Sequence, residues 1–73
     1  MLVEKKIIKI LKSANRNIKF NLNLSDQLDS IQFLNCIIEI EKIFKIKIKE
    51  KEIKIFNFKN INSIKKLINE KNK

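Results

Sequence analysis

Leu28-Asp29-Ser30-Ile31-Gln32-Phe33-Leu34-Asn35-Cys36-Ile37-Ile38-Glu39-Ile40-Glu41-Lys42-Ile43-Phe44 is the stretch on which the fold turns. Ile31, Leu34, Ile37/Ile38 and Phe44 return at the spacing that lays a stripe along one face of an α-helix. The spacing predicts a helix from about Ser30 to Phe44. Phe33, Ile40 and Ile43 add apolar side chains on further faces. Asp29 followed three residues later by Gln32 reads as a capping box, which puts Ser30 at the first helical position. Such a cap contributes about 0.5–2 kcal/mol whatever else the residues do. A hydroxyl presented there stands near backbone N–H donors and the positive end of the helix dipole. That is a favourable place for a phosphate ester.

On the N-terminal side, Val3, Ile7, Ile10/Leu11 and Ala14 mark an amphipathic helix from about Leu2 to Ala14. Glu4 near its start and Lys12 near its end suit the dipole. Asn15-Arg16-Asn17 ends it. Ile18, Phe20, Leu22 and Leu24 then alternate, which by period is a strand signal. Phe44-Lys45-Ile46-Lys47-Ile48 and Ile53-Lys54-Ile55 alternate as well, so local pattern alone admits an α/β arrangement. No Asn-Gly or Asp-Gly turn separates those two runs, which weakens a hairpin. Lys49-Glu50-Lys51-Glu52 can open a short third helix. Asn60 is a cap candidate for a last helix carrying Ile61, Ile64, Leu67 and Ile68, and Glu70-Lys71-Asn72-Lys73 reads as a frayed tail.

Leu28 to Leu34, with Ile37-Ile38-Glu39-Ile40-Glu41-Lys42-Ile43-Phe44-Lys45-Ile46-Lys47-Ile48 after it, resembles the central helix of an acyl carrier protein. Asn57-Phe58-Lys59-Asn60-Ile61-Asn62-Ser63-Ile64 is similar to that family's approach to its last helix. The resemblance covers about Leu24 to Ile68. It implies an all-α fold, a small four-helix bundle of three main helices plus a short third one, with the Ile18–Leu24 run as a loop that plugs the bundle. A phosphopantetheinyl transferase would place 4′-phosphopantetheine from coenzyme A on Ser30, with Asp29 helping to orient that enzyme and its metal. The arm would hold an acyl or aminoacyl group as a thioester for fatty-acid, lipid or secondary metabolism. Acyl-loading or ligase enzymes and downstream acyl-transferring enzymes would touch Ile31, Leu34, Asn35, Ile38, Glu41 and Lys42. A carrier domain without the modification, serving as a structural partner, is a variant of the same resemblance.

The departures from the family are electrostatic. Gln32, Asn35 and Lys42 stand at positions that are commonly acidic, leaving Asp29 and Glu41. Lys45 replaces a common glycine, and Lys49 a common proline. These changes point to a carrier dedicated to one pathway, whose partners are less basic or rely on apolar contacts.

With 73 residues the chain is one small domain, residues 1–73, and a domain of this size buries only about 60% of its unfolded surface. A single cysteine allows no internal disulfide, and without histidine neither a metal site around Cys36 nor a Ser-His or Cys-His nucleophile can be assembled. Cys36 reads as a small buried apolar residue. The expectation is no enzyme and no metal, and a monomer with no membrane among its partners; lacking a membrane span and a signal peptide, the chain reads as cytoplasmic. A net charge of +9 makes a small nucleic-acid-binding protein the alternative. The lysines, however, are dispersed, and Lys, Asn and Ile together are what A- and T-rich codons encode. No aromatic-interleaved basic motif accompanies them, so specific nucleic-acid binding is not expected.

Overall fold

Ile7, Ile10 and Leu11 turn inward from helix α1 (Leu2–Ala14), while Lys5, Lys6, Lys9 and Lys12 stay in solvent. The computed structural model describes residues 2–71, with Ile55 described by its backbone alone. Helix α2 (Ser30–Phe44) buries Cys36, Ile37 and Ile40, and helix α3 (Ile61–Lys71) buries Ile64, Leu67 and Ile68. α1 is the shared partner, packing against both α2 and α3. The described residues thus form an all-helical domain of three α-helices without strands. The Cα radius of gyration is 11.0 Å, close to the value of about 11 Å expected for a folded chain of this length.

Two of the three helix starts carry the caps read from sequence. Asp29 caps α2, and Asn60 caps α3 by accepting the Ser63 N–H on Oδ1 at 2.8 Å. The last helix outruns the expected tail. Glu70 and Lys71 are helical, because Lys71 Nζ reaches back to Glu52 Oε1 at 2.9 Å and anchors the final turn. Asn72 and Lys73, also assigned to that tail, lie outside the described residues.

None of the three alternating runs, at Ile18–Leu24, Phe44–Ile48 and Ile53–Ile55, forms a strand. Between α1 and α2, Ile18 and Leu24 are buried, Phe20 is half-buried and Leu22 points to solvent. The backbone groups that a sheet would pair are satisfied by a side chain instead. Gln27 Oε1 accepts the Lys19 N–H at 2.7 Å, and its Nε2 donates to the carbonyls of Lys19 at 2.8 Å and Asn23 at 3.1 Å. After α2, Ile46 and Ile48 are buried and Lys45, Lys47 and Lys49 exposed, so the period-2 pattern records an extended segment lying on the core.

Glu41 holds that segment. Its carbonyl accepts the Ile46 N–H at 3.1 Å and its carboxylate accepts the Ile48 N–H at 2.8 Å. The charged run beyond gives a single 3₁₀ turn at Glu50–Glu52 rather than a short helix, followed by another at Ile55–Phe58. Glu52 closes the first turn onto the Lys49 N–H at 2.8 Å, and Ile53 then leaves helical geometry at φ −82°, ψ 74°. A β-branched residue at that point gives little support for another helical turn.

Lys45 occupies the left-handed region at φ 54°, ψ 48°, directly after α2. The bond from Ile46 N–H to Glu41 C=O makes this the reversal for which glycine is the usual residue. A residue with a Cβ is disfavoured there by about 1–2 kcal/mol. Lys45→Gly should therefore stabilise the domain, by about 0.5–1 kcal/mol once glycine's greater unfolded-state freedom is deducted. The midpoint of thermal unfolding should rise by roughly 4 °C. A decrease would show that the lysine side chain contributes more than its backbone strain removes.

Candidate functional site

The chain reaches Ser30 through an extended residue. Asp29 at φ −77°, ψ 176° places its side chain over the open end of α2. Its Oδ1 accepts the Gln32 N–H at 2.7 Å, and Gln32 Oε1 accepts the Asp29 N–H at 2.9 Å. This is the expected capping box. Gln32 also does something the sequence did not announce. Its Nε2 donates to the Ala14 carbonyl at 2.9 Å, so one amide closes the start of α2 and the end of α1 together. Glutamate at this position would lack that donor and would set a carboxylate against a carbonyl oxygen.

Ser30 is the first residue of α2 and is exposed. The N–H groups of Ser30 and Ile31 make no hydrogen bond among the described residues, as the opening positions of a helix require. Ser25, Leu28, Asp29 and Phe33 surround Ser30 in a shallow cleft. Below it the Phe33 ring meets Phe58 edge-on, with centroids 5.2 Å apart at 83°, which ties the start of α2 to the approach to α3. The hydroxyl is thus free to react while its backbone is fixed by a cap, an aromatic contact and the Gln32 bridge.

The apolar residues assigned to partner contact are outside the core. Ile31 is 72% exposed, Leu34 55% and Ile38 48%, and Asn35 and Lys42 are exposed beside them. Spacings of three and four align them along the outer face of α2. Large apolar side chains contiguous on a surface mark interaction sites more often than scattered ones do. Glu41, assigned to the same face, is half-buried with its carboxylate engaged by Ile48 N–H. Asp29 is therefore a helix cap and Glu41 a loop tie.

No protein family matches the chain. No curated protein and no solved structure matches it either.

The chain's one thiol is shielded. Cys36 is buried on α2, and burial pushes its thiol up to about 11. The ordinary thiol value is near 8.5, so folding keeps the proton on in the interval between. The linked stability is present in full below about pH 8.5 and declines as the pH rises toward about 11. Native Cys36 should resist iodoacetamide at pH 8 and react quickly in denaturant, as followed by intact mass. Rapid native labelling would mean that α2 opens on that timescale. Among the described residues, no group of three or more His, Cys, Asp or Glu could hold a metal ion.

Proposed function

We propose that the chain is an acyl or aminoacyl carrier protein, loaded at Ser30 with 4′-phosphopantetheine. The observation that carries this reading is the exposed Ser30 hydroxyl at the capped start of α2, heading the exposed line Ile31, Leu34 and Ile38. In this reading α1, α2 and α3 are the main helices of a small four-helix acyl-carrier-like bundle, with the 3₁₀ turns at Glu50–Glu52 and Ile55–Phe58 standing in the place of its short third helix. The residues fit a phosphate ester. The hydroxyl is accessible and unbonded N–H groups of the helix start lie beside it.

The chemistry at Ser30 is a phosphoryl-type transfer performed by another enzyme. Ser30 Oγ forms a new O–P bond as the pyrophosphate of coenzyme A is cleaved. The nucleotide leaves as adenosine 3′,5′-bisphosphate and the hydroxyl proton passes to the transferase. Once attached, the group supplies a terminal thiol that holds the cargo as a thioester. The chain's own contribution is to present the serine and to offer an apolar face to the loading enzyme and to the enzymes that accept the cargo.

The test is intact mass after incubation with coenzyme A and a broad-specificity transferase. One phosphopantetheine should be added, and peptide mapping should place it on Ser30. Modification of Ser25 or Ser63 would overturn the assignment. Ser25 already donates its hydroxyl to Asn23 Oδ1 at 2.7 Å, and Ser63 lies in the first turn of α3.

Charge should set partner choice. With Asp29 and Glu41 engaged within the fold, Glu39 is the one acid of α2 left exposed without a hydrogen bond or ion pair among the described residues, and exposed Lys42 offsets it, so this face offers a basic partner little net negative charge. Asn35→Glu combined with Lys42→Glu should raise the rate of loading by generic, basic fatty-acid enzymes, mainly at low salt, because rim charges act on association. Stability should move by no more than about 0.5 kcal/mol. A salt series on wild type and double mutant decides it. Equal rates for both, already matching an acidic carrier, would remove the dedicated-pathway inference.

A further inference from the structure

We propose that Leu22, Phe56 and the lysines around them form a docking surface for an anionic lipid membrane. The proposal is independent of the carrier reading. Phe56 is 69% exposed, in the 3₁₀ turn before α3, and exposed Leu22 projects from the loop before α2. Lys59 joins the two. Its ammonium lies 5.5 Å from the centroid of the Phe56 ring, and its side chain lines the same hollow as Leu22. Its carbonyl accepts the Leu24 N–H at 2.8 Å, which pins the two loops together. The apolar pair is therefore held in place before any surface is met, so little ordering remains to oppose docking.

The charge around Phe56 has one predominant sign, and Lys59 is the charged residue that it shares with the hollow at Leu22. Lys54 flanks the turn, and Lys59 and Lys66 line the hollow beside Phe56, where Glu70 is the one acid. The chain as a whole carries +9. An interfacial site needs this arrangement, with apolar side chains entering the acyl boundary and lysines reaching the phosphates above them. No spanning helix is required for attachment of this kind.

A nucleic acid fits the same patch less well. Stacking on successive bases needs several open aromatic faces. Leu22 has no π-face, and the Lys59 ammonium already lies over the Phe56 ring. Phe20, Phe33 and Phe44 are half-buried and Phe58 is buried.

The chain contains neither tryptophan nor tyrosine, so Phe56→Trp installs a single fluorophore on an exposed position. With vesicles of phosphatidylcholine containing phosphatidylglycerol, its emission should shift to the blue and be quenched by brominated acyl chains. With phosphatidylcholine alone neither should happen. Leu22→Ser combined with Phe56→Ser should weaken co-sedimentation with the anionic vesicles about tenfold or more. Lys59→Glu with Lys66→Glu should weaken it comparably. Ile31→Ser with Leu34→Ser, on α2, should leave it unchanged. The proposal is overturned if the tryptophan stays in water while the protein sediments, or if the α2 pair rather than Leu22 and Phe56 controls sedimentation. It is equally overturned if the patch binds a single-stranded oligonucleotide at physiological salt in a Phe56-dependent way and ignores the vesicles.

Discussion

Leu24→Ala should cost about 2–5 kcal/mol, a large part of what holds this domain together. A folded chain of 73 residues carries on the order of 4–10 kcal/mol of net stability, so the variant should be barely folded at 37 °C. Leu24 is 0% exposed although it belongs to a loop, and its N–H is bonded to the Lys59 carbonyl at 2.8 Å. It therefore joins the α1–α2 connection to the approach to α3 by both side chain and backbone. Truncation removes the side chain and leaves a void between elements that α1, α2 and α3 already fix. Leu22→Ala is the matched control. Leu22 is 55% exposed, and its loss should stay within about 0.5 kcal/mol. Chemical denaturation of the two variants separates the loop from a strand. Four alternating residues on one buried strand face would give both alanines similar costs, and that result would show the loop to be wrongly placed.

The contrast between Leu22 and Leu24 explains what could be read from the residues and what could not. The three helices were legible because their apolar residues repeat with a period that only a helix turns to one side, and because Asp29, Gln32 and Asn60 carry capping side chains. The alternating runs were ambiguous in kind. A period of two describes any extended chain lying on a core, and whether a neighbouring strand pairs with it depends on distant residues. Here the partners are the Gln27 amide for Lys19 and the Glu41 carboxylate for Ile48. The Gln32 bond to Ala14 was hidden for the same reason, because it joins positions that only the packing of α1 on α2 brings together.

At the candidate site, the capping pattern put Ser30 at a helix start, where the structure has it, but the sequence did not distinguish surface from core along α2. Ile31, Leu34 and Ile38 share the helical period of Ile37 and Ile40, and only tertiary packing turns the second pair inward. Glu41 shows the converse. Its charge suggested a contact with a partner, and its carboxylate is held by a backbone N–H of its own chain.

Ser30→Ala should abolish phosphopantetheine addition while leaving the fold intact, the largest functional change any single substitution here should make. The capping atom belongs to Asp29, so removing the Ser30 hydroxyl deletes no hydrogen bond among the described residues. Alanine is also the best helix former, and the thermal midpoint should stay level or rise slightly. Asp29 permits a finer cut. Asparagine caps as well as aspartate does, so Asp29→Asn keeps the bond to Gln32 N–H and removes only the charge. Asp29→Ala removes both and should cost about 1 kcal/mol. If the aspartate orients the transferase, both variants should load slowly and Asp29→Asn should do so at wild-type stability. If its role is only to hold the serine in place, Asp29→Asn should load at the wild-type rate and Asp29→Ala should lag in proportion to its frayed helix start. Phosphopantetheine on the Ser30→Ala protein would end the assignment, whatever the aspartate variants do.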